Sequence, residues 1–338
     1  MKKLLFTVAC AATVLAVASC SRKASEVVVQ QPEYLCIAYA HESDGPLPPA
    51  DMVTGINYLA AYPNEAGDGL RIVNIPRLMK ILKLKEENPE LKVVLSFGGA
   101  GAGSTGWTEM VCNDSLRASF VADCKRVTDQ YGLDGLDFDW EFPHTQEELD
   151  GYISLFKEVR ESLGDEKLVT AAAGFWGNGF DLKEAMKYLD YINLMTYDMG
   201  WQAPYHHTSL HRSDLSGVCT VDEALDSCLS KGVEYKDIVL GLAFYGRGDG
   251  KNFKAWTDYR DIALREGMEE RWDSVACVPY IVDSLGTLII GYENPQSLKI
   301  KCDYIKEKGL RGGMYWRTEE DADDHQLTRA VAEGLMGR

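Results

Sequence analysis

Three acidic side chains, Asp137, Asp139 and Glu141, alternate with apolar ones between residues 133 and 143. Successive side chains of a β-strand point to opposite faces, so this alternation predicts a strand with all three acids on one face. At about 3.3 Å per residue, neighbouring acids would lie roughly 6 to 7 Å apart, where the charge of one opposes ionisation of the next. Such a row favours a carboxyl group that holds a proton near neutral pH, as a general acid must.

Two other interpretations fit the same residues. An amphipathic surface strand would hold its acids in water and bury Leu136, Phe138 and Trp140, and a divalent cation could also bind the carboxylate oxygens. Polar and aromatic residues at the ends of other predicted strands weigh against the surface strand. No histidine lies near those ends, which makes a metal site a poor fit, and we expect neither a metal nor another cofactor.

The rest of the chain alternates between two hydrophobic patterns. Continuous apolar runs, typical of strands buried on both faces, cover residues 35–40, 55–60, 92–97, 132–139, 168–173, 191–196, 238–244 and 312–316. Helical patterns cover residues 75–82, 115–131, 145–163, 182–188, 220–232 and 297–309. This order predicts an α/β fold, the (β/α)8 or TIM barrel. An open doubly wound sheet is the alternative, disfavoured because no Gly-x-Gly-x-x-Gly turn follows the first strand.

A barrel of this kind carries its active site at the carboxyl ends of its strands. The polar and aromatic residues expected there are Tyr39, Ser96, Glu141, Tyr197, Asp198 and Trp316. Residues 248–291 are too long for a simple connection, and they contain a helical pattern at 257–267 and strand-like runs at 278–282 and 287–290. We therefore predict a small α+β insertion after the seventh strand.

The N-terminal residues have the pattern of a targeting segment. Lys2 and Lys3 precede a short apolar run, and Val-Ala-Ser-Cys, ending at Cys20, resembles a bacterial lipobox. We expect a signal peptide at residues 1–19, a lipidated Cys20 with a polar tether to residue 34, and a catalytic domain at residues 35–335. The mature protein would be anchored to a bacterial membrane, at the outer membrane or cell surface, without spanning it. A plain secretory signal is the alternative.

Composition limits the partners and the other sites. The chain has 338 residues and a net charge of −17, which weighs against nucleic acid as a partner, and its length without long linkers favours one domain. Of nine cysteines, Cys10 would leave with the signal and Cys20 would be acylated. The other seven are odd in number and include no Cys-x-x-Cys pair, so a zinc site is not expected. We expect a monomer.

Five motifs resemble those of glycoside hydrolase family 18, the chitinases and related endo-β-N-acetylglucosaminidases. Residues 134–141, Asp-Gly-Leu-Asp-Phe-Asp-Trp-Glu, resemble its D-G-x-D-x-D-x-E signature. The other four occur in the family's order: Ser-Phe-Gly-Gly at 96–99, Met-Thr-Tyr-Asp at 195–198, Gly-Leu-Ala-Phe-Tyr-Gly-Arg at 241–247 and Gly-Gly-Met-Tyr-Trp at 312–316. The resemblance extends over nearly all of the chain after residue 34.

The resemblance implies a role for each matching residue. Glu141 would be the acid and then the base, Asp139 and Tyr197 would hold the substrate's acetamide, and Asp137 would share a proton with Asp139. The acetamide oxygen would be the nucleophile, an exception to the usual pair of carboxylates. The residues expected to bind substrate are Tyr39, Ser96, Gly98, Gly99, Trp140, Met195, Asp198, Trp201 and Trp316. Arg247 has a structural ion pair as its simpler interpretation.

The implied function is hydrolysis of β-1,4-linked N-acetylglucosamine in chitin oligosaccharides, with retention of configuration. Alternatives are an endo-β-N-acetylglucosaminidase acting on the chitobiose core of N-glycans and a non-catalytic barrel that binds chitooligosaccharides. Two features depart from the chitinase subfamily with the insertion: the insertion is shorter, and Ala100 stands where tryptophan often follows the S-x-G-G motif. A shorter wall predicts a more open cleft.

Overall fold

The computed structural model describes residues 34–263, 265 and 267–337. The strands are β1 (Leu35–His41), β2 (Gly55–Pro63), β3 (Leu70–Ile72), β4 (Lys92–Gly99), β5 (Gly135–Trp140), β6 (Leu168–Gly174), β7 (Tyr191–Met195), β8 (Ile238–Ala243), β9 (Tyr245–Gly248), β10 (Thr257–Asp258), β11 (Glu269–Asp273), β12 (Val278–Val282), β13 (Leu288–Gly291) and β14 (Gly312–Trp316). The α-helices are α1 (Ile75–Lys83), α2 (Trp107–Val111), α3 (Asp114–Tyr131), α4 (Gln146–Leu163), α5 (Leu182–Ala185), α6 (Val221–Ser230), α7 (Tyr259–Ala263), α8 (Pro295–Lys308) and α9 (Gln326–Met336).

Eight parallel strands close into a barrel, which confirms the predicted (β/α)8 fold. Their order is β1, β2, β4, β5, β6, β7, β8 and β14, and β14 pairs with β1 to complete the circle. The first connection departs from the simple repeat, because only a 3₁₀ turn, Ala50–Met52, lies between β1 and β2. The short strand β3 pairs antiparallel with the end of β2 and was not predicted.

The register of the central strands determines the surroundings of the acid row. Asp137 on β5 stands opposite Ser96 on β4 and Thr170 on β6, so two hydroxyl side chains lie beside it. Gly98 stands opposite Asp139 and has a φ of 110°, a value that favours glycine. A Cβ at Gly98 would lie 2.4 Å from the Asp139 carbonyl oxygen, so β4 can approach the acid strand this closely only with glycine there.

The alternation along β5 divides its side chains between two layers. The acids face the barrel interior, where aliphatic and aromatic side chains from the other strands pack around the axis. Phe138 and Trp140 face outward into the helix layer, where the Trp140 ring stacks on Trp107 at 5.6 Å and meets Tyr152 edge-on at 5.4 Å. This aromatic packing fixes the outer face of β5 and so holds the acid row in place.

Helix α4 begins five residues after Glu141 and is capped by Thr145. The Thr145 hydroxyl accepts a hydrogen bond from the Glu148 amide, and the Glu148 carboxylate accepts one from the Thr145 amide. Glu148 also accepts hydrogen bonds from the Thr108 hydroxyl and the His144 amide. The capping box therefore links the loop that carries Glu141 to α4 and α2.

The insertion forms a five-stranded sheet in the order β10, β9, β13, β12, β11. The predicted strand-like runs correspond to β12 and β13, but the predicted helix at 257–267 is wrong in extent. That segment begins as strand β10 and continues as the short helix α7. Strand β11, rich in charged residues, was not predicted.

Among the described residues, no helix has both the length and the apolar character needed to cross a bilayer. Cys20 and the expected signal peptide lie outside the described residues.

Candidate active site

Asp137 is fully buried in the barrel interior beneath the cleft. Four side chains donate hydrogen bonds to its carboxylate at 2.6 to 3.0 Å, namely Tyr39, Ser96, Thr170 and Asn193. Burial raises the pKa of Asp137, and the hydrogen bonds oppose that rise because they stabilise the ionised form. Asp137 is thus a carboxylate that its neighbours hold in one orientation.

Asp139 lies one strand repeat further on and lines the cleft, with only 4% of its surface exposed. Its Oδ1 atom is buried and has no hydrogen-bond partner among the described residues. Burial, together with the charges of Glu141 and Asp137, raises the pKa of Asp139 well above its ordinary value. Because no hydrogen bond compensates for burial, a proton shared within this pair resides more readily on Asp139 than on Asp137. The sharing itself stays a prediction.

Glu141 follows directly after β5 and lines the same cleft. Burial and the nearby charge of Asp198 raise its pKa to about 7, while a hydrogen bond from the Ala100 amide opposes the rise. The Ser104 hydroxyl bonds both the amide and the carbonyl of Glu141, at 3.2 and 3.1 Å, which fixes its backbone. A carboxyl group with such a pKa is protonated in much of the population near neutrality, as general acid catalysis requires.

Asp198 follows β7 with a φ of 58°, an uncommon conformation outside glycine. Its carboxylate accepts hydrogen bonds from the Tyr245 hydroxyl and from Arg247 Nε, both at 2.7 Å, and pairs again with Arg247 through Nη2. Burial alone would raise its pKa, but His207 and Arg247 hold the pKa of Asp198 well below its ordinary range. Asp198 therefore stays ionised beside Glu141, and Arg247 forms the structural ion pair suggested by its sequence.

These groups open into one cavity of about 580 Å³ at the carboxyl ends of the strands. Its lining includes predicted residues from four strand ends, which are Gly98, Gly99, Asp139, Glu141, Met195, Tyr197, Asp198, Trp201 and Trp316. Trp316 lies 5.9 Å from the Tyr39 ring and 6.3 Å from the His41 ring, measured between centroids. Trp201 is 72% exposed, so most of its ring is open to solvent beside the cavity.

Three of the expected substrate contacts do not line the cavity. Trp140 is 4% exposed and points into the helix layer, because the alternation that brings the acids inward turns Trp140 outward. Tyr39 and Ser96 are buried below the cavity and bond to Asp137, so they position that carboxylate rather than line the cleft.

The cavity also contains residues that the sequence reasoning missed. Most lie on loops after the strands, and they are His41, Glu42, Tyr62, Phe142, Phe175, Trp176, Asn178, Tyr245 and Trp256. The pair Phe175-Trp176, directly after a predicted strand, was the clearest available signal, since aromatic residues at strand ends were already the criterion for Trp316. Trp256 comes from the insertion and stacks on Tyr245 with centroids 3.6 Å apart.

Among residues 34–263, 265 and 267–337, no group of three or more His, Cys, Asp or Glu side chains is arranged to hold a metal ion. Tyr245 and Arg247 hold Asp198, one of the acids of the cavity.

A (β/α)8 barrel with a proton-bearing glutamic acid and a second buried carboxyl at its strand ends is an arrangement suited to glycoside hydrolysis. Residues 31–321 match the model of glycosyl hydrolases family 18, and the chain belongs to this family. It is a chitinase-like glycosidase.

The relatives that it matches agree with this assignment. The chain is 26% identical over 343 residues to chitinase B of Serratia marcescens, an alignment that covers 75% of this chain and 68% of that protein. It is 30% identical to the family 18 N-acetylglucosaminidase of Paenibacillus barengoltzii, whose structure superposes with a TM-score of 0.78 over 89% of this chain and 100% of that one. A class V chitinase of Nicotiana tobaccum, solved with an N-acetylglucosamine oligosaccharide, shares the fold at 22% identity, with a TM-score of 0.77 over 90% of this chain and 99% of that one.

Proposed function

We propose that the protein hydrolyses β-1,4-linked N-acetylglucosamine in chitin oligosaccharides by a substrate-assisted, retaining mechanism. The observation that carries the proposal is Glu141, with a pKa raised to about 7, in a cavity beside Asp139, Tyr197 and Trp316. Glu141 would protonate the glycosidic oxygen, and Trp316 would lie under the sugar that is cleaved.

The other carboxylates of the cavity support the substrate's acetamide as the nucleophile. Asp198 is committed to Tyr245 and Arg247, and Glu42 follows β1, away from Glu141 in the strand order. Asp139, whose pKa is raised and whose Oδ1 atom has no hydrogen-bond partner among the described residues, is next to Glu141 on the same strand face. We infer that Asp139 and Tyr197 orient the acetamide against the anomeric carbon.

The proposed reaction has two steps. The acetamide oxygen bonds to the anomeric carbon while the bond to the leaving oxygen breaks, and the Glu141 proton moves to that oxygen. The Glu141 carboxylate then takes a proton from water, whose oxygen attacks the anomeric carbon and restores the acetamide. Positioning a neighbouring nucleophile in this way can lower a barrier by roughly 7 to 11 kcal/mol.

A second candidate is release of single N-acetylglucosamine units. The Paenibacillus relative, an N-acetylglucosaminidase of 30% identity that this chain covers in full, favours it. The products of chitotetraose and of a high-mannose glycopeptide, followed over time, separate stepwise release from internal cleavage and from action on an N-glycan core.

Turnover of an aryl chitobioside tests the hydrolase against a barrel that only binds sugar. We expect turnover by the wild type and a loss of at least about 10²-fold in Glu141→Gln, which keeps the shape of the side chain but cannot donate the proton. Binding of chitotetraose by this variant should persist. Sugar binding without turnover in the wild type would favour a non-catalytic barrel, and activity of the variant within tenfold of wild type would show that another group is the acid.

The mechanism has its own test. A substrate with glucosamine at the cleaved position lacks the acetyl group and should be essentially inert, and a thiazoline mimic of the cyclised intermediate should inhibit. NMR should show the β anomer first. Efficient cleavage of the deacetylated substrate, or initial release of the α anomer, would rule the mechanism out.

We also propose that the protein is attached to the bacterial cell envelope through lipid on Cys20. The support is the lipobox-like sequence that ends at Cys20.

A further inference from the structure

The cavity extends to a polar end formed at the carboxyl ends of β1 and β2. His41, Glu42 and Tyr62 line it there. Around the barrel, β1 and β2 lie opposite β6 and β7, whose following loops contribute Trp176 and Trp201. The cleft therefore runs between an aromatic side and a side that carries a carboxylate, with Glu141 and Trp316 between them.

Hydrogen bonds hold Glu42 in place. Its Oε2 atom accepts a hydrogen bond of 2.8 Å from the Tyr62 hydroxyl, and its backbone carbonyl accepts one of 2.8 Å from Asn74 Nδ2. Both Glu42 and Tyr62 line the cavity. The Tyr62 hydroxyl bonds one of the two carboxylate oxygens of Glu42 and so orients this carboxylate in the cavity. The side chain has little freedom to lose when a ligand binds.

Within the part of the chain that the structure describes, no lysine or arginine forms an ion pair with Glu42. Arg77 instead pairs with Glu319 and donates to the Gly45 carbonyl at 2.9 Å. Arg71 lies over the Tyr62 ring, with its guanidinium carbon 4.5 Å from the ring centroid. Arg77 thus pairs with another carboxylate, and Arg71 contacts the Tyr62 ring without forming an ion pair with Glu42.

His41 does not supply the missing positive charge either. Its Nδ1 atom accepts a hydrogen bond of 3.2 Å from the Ser43 amide, as a neutral ring does. Burial and the charge of Arg317 lower the pKa of His41, and the charge of Glu42 opposes this only in part. His41 lies beside Trp316 and directly precedes Glu42, and all three residues line the same cavity.

A carboxylate can only accept hydrogen bonds, and it forms its strongest ones with charged donors. A neutral sugar that covers Glu42 removes water from its unpaired charge, which costs free energy. Its hydroxyl groups replace the lost water contacts but bring no positive charge. A glucosamine, which carries an ammonium group where N-acetylglucosamine carries an amide, would offer both hydrogen bonds and the opposite charge.

We propose that Glu42 makes this end of the cleft a subsite for glucosamine, so that the protein prefers oligosaccharides that are partly deacetylated. The inference rests on the proposed function and concerns a different sugar from the one cleaved. The sugar over Trp316 must keep its acetyl group to supply the nucleophile. The sugar at Glu42 binds more tightly without its acetyl group, because the free amine pairs with the carboxylate. Such a chain has an amine at one end and an acetamide at the cleavage site.

Binding to Glu141→Gln protein tests the subsite without cleavage. Calorimetry would compare chitotetraose with two tetrasaccharides that carry one glucosamine, at the non-reducing or at the reducing end. We expect one of these two to bind at least about tenfold tighter than chitotetraose at low salt, since a hydrogen bond between charged groups contributes roughly that much. The advantage should shrink at high ionic strength, because the site is open to solvent.

Two further variants decide whether Glu42 is responsible. Combining Glu42→Gln with Glu141→Gln keeps the size of the side chain at position 42 and removes its charge. This double variant should lose the preference for the tetrasaccharide with one glucosamine. Adding Asp44→Asn, which removes an exposed charge two residues away that does not line the cavity, should keep it. Circular dichroism would check that both variants are folded.

Equal affinity for the three tetrasaccharides, or a preference that survives Glu42→Gln, would overturn the proposal while leaving the hydrolase function intact. If none of the three binds and the wild type cleaves none of them, the proposed function fails and this inference fails with it.

Discussion

Glu141 can donate a proton only while its carboxyl group is protonated, so the groups that set its pKa also set the pH range of the reaction. Burial is the main cause of its pKa of about 7, and the charge of Asp198 is the next. Activity should therefore be sustained below about pH 7 and should fall as the pH rises through that value.

Asp198→Asn should move this alkaline decline to lower pH. The substitution removes a negative charge beside Glu141 and leaves Arg247 without its carboxylate partner, and both changes favour the ionised form of Glu141. The measurement is kcat/KM for an aryl chitobioside as a function of pH. Asp44→Asn, which removes an exposed charge outside the cavity, is the matched control and should leave the decline in place. An unchanged or upward-shifted decline in Asp198→Asn would mean that Asp198 does not act on Glu141 through its charge.

At the same scale, the sequence predicted the acid row, whereas most of the cavity residues that it missed lie on loops. The period of two placed Asp137, Asp139 and Glu141 on one face, and the same period already placed Trp140 on the other. Naming Trp140 as a substrate contact contradicted that pattern, and its packing on Trp107 shows the consequence. Glu42 and Trp256 could not be predicted, because loops have no periodicity from which to infer where a side chain points.

Among the larger elements, the insertion is joined to the last barrel strand through Trp256. Its indole Nε1 donates a hydrogen bond of 2.8 Å to Glu320, which follows β14, and its ring stacks on Tyr245. The guanidinium carbon of Arg247 lies over the Trp256 ring, 4.6 Å from its centroid. Trp256 thus supports both residues that hold Asp198.

We expect Trp256→Ala to reduce kcat/KM about tenfold, because an aromatic pair and a cation over a ring each contribute roughly 1 kcal/mol. The loss should appear as a raised KM, from the missing cavity wall, and as a shifted pH profile, from a looser Asp198. Trp272→Ala, which removes a tryptophan of the same insertion that does not line the cavity, should change neither. If both variants behave alike, Trp256 affects only the folding of the insertion.

Helix α4 depends on a carboxylate that is strongly held by hydrogen bonds. The pKa of Glu148 is lowered to about 2, first by the Thr108 hydroxyl and then by the His144 and Thr145 amides. A folded-state pKa below the unfolded value of about 4.3 stabilises the folded protein at higher pH, and this contribution is lost as the pH falls through about 2.

Glu148→Gln should therefore lower the free energy of unfolding by about 1 to 3 kcal/mol at pH 7. The difference from wild type should narrow as the pH falls below about 4, where the unfolded chain no longer carries the charge. Urea unfolding at several pH values measures it. Glu147→Gln, in the same helical turn but exposed, is the control and should have little effect. A deficit that does not depend on pH would show that shape, and not charge, matters at Glu148.

For the whole molecule, hydrophobic pattern was enough to predict the barrel and its approximate strand positions. Buried parallel strands require continuous apolar runs, and these separate clearly from amphipathic helices. The insertion was harder, because β11 is exposed and charged and resembles a loop in sequence. The connection between β1 and β2 contains a 3₁₀ turn where the regular repeat has a helix. Such a short turn has no hydrophobic periodicity from which to predict it.

The proposed attachment of the protein to the membrane depends on Cys20 alone among the nine cysteines. If Cys20 carries lipid, the protein should partition into detergent, and intact mass should show a mature chain that begins at Cys20 with acyl groups attached. One acyl chain gives only marginal membrane binding, so stable attachment requires more than one on this residue. Cys20→Ala should release the protein from the membrane fraction, whereas Cys10→Ala, a matched change within the expected signal peptide, should leave it attached. Retention of Cys20→Ala in that fraction, or a mature form that starts at another residue, would contradict the anchor and favour a plain secretory signal.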